Sequence, residues 1–267
     1  MPFIRANDLI VNYDLAGAPS AAVVVLANAL GTSLALWDAQ HDAFAASYRV
    51  LRYDMRGHGL TSGAGSVVTI AGLAADLAAL LDALAIERVA IVGLSIGGMM
   101  AQAFAAAYPE RTLALALCAT ASNIGPASVW DTRIAAIEAG GMAAIVDGVL
   151  ARWFSPQMHS DRPDVVAGFG TMVSRTPAEA YIACCKAIRA TDLSAGNASI
   201  AAPVLVISGG QDAVTSPAAG ACLQSEIRGA HMITLPDAAH ILCVESADKC
   251  TAALLAFLAP TLQTAAR

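Results

Sequence analysis

Ser95 stands between two glycines in Gly93-Leu94-Ser95-Ile96-Gly97, and the two flanks of this pentapeptide differ in kind. Val89-Ala90-Ile91-Val92 before it is a short apolar run of β type, whereas Gly98-Met99-Met100-Ala101-Gln102-Ala103-Phe104-Ala105 after it reads as a helix. A serine on a strand-to-helix turn, with glycines two before and two after, is the nucleophile elbow of acyl-transfer hydrolases. The turn forces unfavourable backbone angles on the serine, and glycines let strand and helix approach without a Cβ clash. The hydroxyl is then held at a helix N-terminus, where free N–H groups and the helix dipole favour developing negative charge.

A serine hydroxyl is a weak nucleophile at neutral pH. It needs a histidine base, and the histidine needs a carboxylate to fix its tautomer and stabilise its cation. In hydrolases built on this elbow the chain order is serine, acid, histidine. Three of the five histidines follow Ser95. His159 lies in a polar, loop-like stretch, and His231 opens the strand Met232–Leu235, at the end of a parallel strand that does not carry chemistry. His240 follows that strand and the turn Pro236-Asp237-Ala238-Ala239, so it is assigned as the base. The acid should leave the preceding strand, Pro203–Ser208. The turn Gly209-Gly210-Gln211-Asp212 offers Asp212, with Asp237 as the fallback.

The tetrahedral intermediate of acyl transfer needs two N–H donors for its oxyanion. One is expected at Ile96, directly after the nucleophile. The other is expected at Leu30, in the loop Asn28-Ala29-Leu30-Gly31-Thr32-Ser33 after the strand Ala22–Ala27. Asn28 would brace that loop through its side chain and is expected among the substrate-binding residues.

These residues need a scaffold, and the patterning supplies one. Two short strand-like runs flank Asn7-Asp8 as an N-terminal hairpin. Strands over Ala22–Ala27, Tyr48–Tyr53, Val89–Val92 and Thr112–Cys118 alternate with helices, and the alternation resumes from Val204 to a final helix near Ser246–Leu258. Ile70–Leu84 reads as an amphipathic helix with Leu73, Leu77, Leu80, Leu81 and Leu84 on one face, Asp82 outward and Asp76 at the edge. Such alternation predicts an α/β protein: a mostly parallel, eight-stranded sheet with helices on both faces. Between about Thr120 and Ala202 only helical patterns occur, at Trp130–Ala139, Met142–Trp153, Pro163–Ser174 and Pro177–Ala190. The predicted organisation is therefore a core of residues 1–120 and 203–267 with a helical cap, residues 121–202, inserted over Ser95.

Composition narrows the function classes. The chain has 267 residues, 57% of them hydrophobic, which suits one such domain with its cap. Val89–Pro109 carries no charge, but the Gly-Leu-Ser-Ile-Gly-Gly break and Gln102 fit a buried strand and helix rather than a membrane span. The net charge of −6, without a long basic run, argues against nucleic acid. Met1–Asp8 lacks a basic-then-apolar leader, and the six cysteines have no disulfide framework or metal-ligand spacing. The cytoplasm is thus the expected location. Cys243, three residues after His240, could line the site without reacting. Asp54-Met55-Arg56-Gly57-His58-Gly59 holds too few ligands for a metal. It is read as a tight turn braced by an Asp54–Arg56 pair, with His58 packed and hydrogen-bonded. No metal or cofactor is called for, and a homo-oligomer is left open.

Several segments together resemble the 3-oxoadipate enol-lactonases. They are Asn28-Ala29-Leu30-Gly31-Thr32, Trp37-Asp38-Ala39-Gln40, Leu51 to Gly59 and Gly93 to Met99, with Ala151-Arg152-Trp153-Phe154-Ser155-Pro156 and Tyr181-Ile182-Ala183-Cys184-Cys185 in the cap. The Asp-x-Arg-Gly-His-Gly and elbow segments are shared widely among α/β-hydrolases; the Asn-x-Leu-Gly-Thr loop and the Arg-Trp-Phe segment discriminate more. Many relatives carry His-Gly where this chain has Asn28-Ala29. The resemblance implies an α/β-hydrolase fold with a helical cap, and cofactor-free hydrolysis of 3-oxoadipate enol-lactone to 3-oxoadipate in protocatechuate or catechol breakdown. That lactone is a small molecule with a free carboxylate, so the cap should present a cation. Arg133, Arg152, Arg162, Arg175, Lys186 and Arg189 are available. Arg133, near Trp130, stands where the family's cap commonly carries an arginine; Trp153 would form an apolar wall. A general carboxylesterase, a C–C bond hydrolase of ring-cleavage products, a cofactor-free peroxidase and a non-catalytic receptor on the same fold are the competing readings.

Overall fold

The computed structural model describes residues 2–265. Eight strands form one sheet: β1 (Phe3–Ala6), β2 (Leu9–Ala16), β3 (Val23–Ala27), β4 (Arg49–Tyr53), β5 (Val89–Leu94), β6 (Thr112–Cys118), β7 (Val204–Gly209) and β8 (His231–Leu235). Their order across the sheet is β1-β2-β4-β3-β5-β6-β7-β8. The hairpin β1–β2 and the β2–β4 pair are antiparallel, and every other neighbour is parallel. The apolar runs VVVLA of β3 and VAIVGL of β5 are buried at every position. Such continuous runs are what a parallel strand covered on both faces requires.

Three helices join the first strands: α1 (Asp38–Ala45), α2 (Ile70–Ala83) and α3 (Ile96–Ala107). Thr69 caps α2, its hydroxyl accepting from the Gly72 N–H, and Leu73, Leu77, Leu80 and Leu81 are buried on one face. Asp76 is not at the edge of this helix. It is buried and takes Arg56 through Nη2 at 2.7 Å and Nε at 2.8 Å. The Asp54–Arg56 brace expected from the sequence is accordingly absent. Arg56 reaches Asp76 and Asp8 instead, while Asp54 accepts from Leu34 N, Leu60 N and Asn12 Nδ2. A turn carboxylate surrounded by backbone N–H groups is satisfied without a guanidinium. His58 is fully buried, its Nδ1–H donating to Arg56 O at 3.1 Å, as a packed residue should.

Between β6 and β7 the chain is helical throughout: α4 (Ala127–Gly140), α5 (Val146–Trp153), α6 (Pro156–Asp161), α7 (Pro163–Arg175), α8 (Ala178–Arg189) and α9 (Ser194–Asn197). His159 therefore sits on the short helix α6 rather than in a loop, though it is exposed as expected. The overlooked helix had a readable start: the Ser155 hydroxyl accepts from Met158 N, and Pro156 occupies the first turn. After β7 come α10 (Pro217–Glu226), α11 (Leu242–Glu245) and α12 (Ala247–Ala265). Parallel pairing of β3, β5, β6, β7 and β8 brings the loops that follow them to one edge of the sheet. Ligands gather at that edge in parallel α/β sheets.

Candidate active site

Ser95 joins β5 to α3 with φ 59° and ψ −118°, a conformation costly for a residue with a Cβ. Close packing holds it there. A Cβ on Gly93 would lie 2.4 Å from Gly97 O, and one on Gly97 would lie 2.6 Å from both Ala27 O and Asn28 O. The Thr120 hydroxyl donates to Ser95 O at 2.7 Å, and Ser95 N–H donates to Cys118 O at 3.0 Å, so β6 fixes the elbow from its other side. The glycine contacts also press the elbow against the loop after β3. Asn28 Nδ2 donates to Tyr53 O at 2.7 Å and braces that loop from within. Asn28, expected among the substrate-binding residues, is not among those that line the cavity around Ser95.

Asp212 follows β7, and His240 follows β8. The His240 Nδ1–H donates to Asp212 Oδ2 at 2.9 Å, with both residues buried. The other oxygen of Asp212 accepts from Val214 N at 2.7 Å and Thr215 N at 3.0 Å. The Thr215 hydroxyl adds a bond to Oδ2 at 2.8 Å and stands 3.5 Å from His240 Nδ1. Burial opposes ionisation of Asp212. The His240 imidazole and the Thr215 and Val214 N–H groups outweigh it and hold the carboxyl below its usual value. Asp237 is on the surface with Lys249 at 3.0 Å, away from this arrangement. Cys243 is turned from the cavity, its thiol toward Leu36 O.

One small cavity collects the rest. It is lined by Ala29, Leu30, Ser95 and His240 with Val214 from the core side, and by Trp130, Arg133, Trp153 and Tyr181 from the helices above. Its volume for the centre of a water-sized sphere is about 10 Å³, room for roughly one water. With Nδ1 engaged by Asp212, His240 keeps Nε2 for that cavity. Neither Leu30 N–H nor Ile96 N–H has an acceptor among the described residues, although both residues are buried. A buried N–H without a partner in the fold is costly unless something else receives it. Arg133 stacks on Trp130, 5.0 Å from the ring centroid, and its Nη1 donates to Tyr181 Oη at 3.4 Å. Trp130, Tyr181 and Val214 were not singled out as lining from the sequence. Tyr181 left a trace in Gly31: a Cβ there would meet the Tyr181 ring at 2.8 Å.

Fold and site together define an α/β-hydrolase with a serine on its elbow. Residues 18–247 match the family described as Serine aminopeptidase, S33. 3-Oxoadipate enol-lactonase 2 of Acinetobacter baylyi is 35% identical over 242 residues, covering 91% of this chain and 90% of that protein. A putative carbamate hydrolase RutD of Variovorax paradoxus is 30% identical over 258 residues, 93% of this chain and 96% of that protein. Among solved structures, the enol-lactonase from Burkholderia xenovorans LB400 superposes with a TM-score of 0.94 at 38% identity, covering 97% of this chain and all of that one. The chain belongs to the 3-oxoadipate enol-lactonase family of α/β-hydrolases.

Proposed function

We propose that this protein hydrolyses 3-oxoadipate enol-lactone to 3-oxoadipate through an acyl-enzyme on Ser95. The observation that carries the reading is the small cavity that Ser95, His240, Leu30 and the cation of Arg133 share. Ser95 Oγ attacks the lactone carbonyl while His240 Nε2 takes its proton, and Asp212 stabilises the imidazolium through Nδ1. The N–H groups of Leu30 and Ile96 receive the oxyanion. Collapse breaks the ring C–O bond. The departing enolate oxygen takes the proton from His240, and the enol becomes a ketone. An enolate leaves more readily than an alkoxide, so ring opening needs less help than cleavage of a simple ester. Water then loses a proton to His240 and attacks the acyl carbon; the acyl C–Oγ bond breaks, Ser95 Oγ takes the proton back from His240, and the second carboxylate is released.

Arg133 faces the carboxylate the lactone already carries, and Trp130 and Trp153 supply apolar walls. The six cysteines are free thiols, which supports the cytoplasm as the site of action. No helix among the described residues is long and apolar enough to cross a membrane. Room for about one water is too little for a six-carbon lactone, so binding requires the cap wall to shift.

The test follows the ultraviolet absorbance of freshly generated enol-lactone with wild type and Ser95→Ala side by side. Rapid loss with wild type, reduced by roughly 10⁴-fold or more in the variant, is the expected result. Turnover of p-nitrophenyl acetate without loss of the lactone would overturn the substrate and point to a carboxylesterase or C–C bond hydrolase. Arg133→Gln should raise KM for the anionic lactone by at least about tenfold and leave that for neutral p-nitrophenyl acetate little changed. Equal effects on both would remove Arg133 from carboxylate recognition.

A further inference from the structure

A second hollow lies on the cap, between α4 and α5. Ser128, Val129, Thr132, Arg133 and Ala136 line it from α4, and Gly148, Val149 and Arg152 from α5. Its volume for the centre of a water-sized sphere is about 380 Å³. No carboxylate is among its lining residues. Asp131 on α4 is tied to Arg189. Neither Arg133 nor Arg152 is ion-paired among the described residues. Two unpaired guanidiniums in one concavity repel each other, an arrangement that an anion between them relieves.

Arg133 belongs to both spaces. It lines both this groove and the small cavity around Ser95, so the two spaces share a wall at Arg133. The chain as a whole carries a net charge of −6, so the long-range field of the molecule does not by itself draw in anions. We infer that the α4–α5 groove is the mouth of the active site and a binding site for small carboxylates. Arg152 at its exposed lip is the first cation an anion meets, and Arg133 at its base is the second. The ring-opened product carries two carboxylates, one more than the substrate, and the groove holds a cation for each. The inference deepens the lactonase reading and takes from it only the identity of the anion.

The experiment reads binding without turnover. Adipate, an unreactive dicarboxylate, is titrated calorimetrically at low salt into wild type, Arg152→Gln, Arg152→Lys and Gly148→Leu. A Cβ on Gly148 meets nothing within 4 Å, so a leucine there starts into open space beside the groove residues. Arg152→Gln should weaken adipate binding about tenfold or more, Arg152→Lys should restore part of it, and Gly148→Leu should weaken it too. Thermal melts within a few degrees of wild type show that the variants are folded. Uncharged adipamide should not bind. No binding of adipate by wild type, or equal affinity in wild type, Arg152→Gln and Gly148→Leu, would overturn the inference. Because no lactone is used, failure of the lactonase reading leaves this result standing.

Discussion

Thr215 is the residue whose contacts exceed what a turn needs. Its N–H and its hydroxyl both reach Asp212, and the hydroxyl sits 3.5 Å from His240 Nδ1. It is a positioning residue: it holds the carboxylate plane in line with the imidazole. Thr215→Val keeps the shape and the N–H but loses the hydroxyl donor. The expected outcome is a roughly tenfold fall in kcat at nearly constant KM, with Thr215→Ser recovering most of it. An equal loss in the serine variant would mean that packing of the methyl group matters instead. His58 poses the opposite case, a buried group outside the chemistry. Burial lowers its affinity for a proton, against the Arg56 carbonyl and Asp54, which raise it, and Nε2 has no partner to receive a second N–H. The folded value lies below the unfolded one near 6.5, so the unfolded chain binds the proton first. Its contribution to stability is whole above about pH 6.5 and is lost as pH falls from there through the folded value. Urea unfolding at pH 7 and pH 5 should show a smaller acid loss in His58→Asn than in wild type, although the variant starts less stable.

At the scale of elements, legibility followed rigidity. Ser95, Asp212 and His240 could be read from the sequence because each sits at a fixed offset from a strand, and the apolar runs of β5, β7 and β8 mark those strands. The faces of α4, α5 and α8 that close the cavity could not be read. Apolar residues in a cap helix face the core, the neighbouring helix or the substrate with the same periodicity. The same limit applies to Asp76, whose partner lies twenty residues away on a turn and left no local pattern. Glycines separate two roles that composition merges. Gly97→Ala drives a Cβ into backbone carbonyls 2.6 Å away and should cost several kcal/mol together with most activity. Gly168→Ala, inside α7 with nothing within 4 Å, should stabilise by about 0.5–1 kcal/mol. Thermal melts and p-nitrophenyl acetate rates of both variants check the contrast; equal destabilisation by the two would contradict it.

The whole molecule works as a sheet edge and a helical cover with the reacting groups divided between them. Ser95, Leu30 and His240 belong to the sheet edge, and Arg133 with the aromatic walls belongs to the cover. The two must separate enough to admit substrate and then return to register. Glu245, at the end of α11, joins them: one carboxylate oxygen accepts from Ser155 N, just past α5, and the other from Ala239 N, beside His240. Trp153 O, accepting from Ile241 N at 3.0 Å, ties the same two segments again. The end of α5 and the loop that carries His240 are therefore tied together at this point, so any separation of cover and sheet edge must pivot about it. Glu245→Ala strands both N–H groups, one of them next to the catalytic loop. The expected loss is about 1–3 kcal/mol of stability, with kcat falling severalfold. Hydrogen exchange distinguishes a local loosening from a general one. Amides of Ser155, Ala239 and their neighbours should exchange faster in the variant while β5 and β6 stay protected. Uniform acceleration across the sheet would mean that Glu245 supports the fold as a whole rather than the link between cover and base.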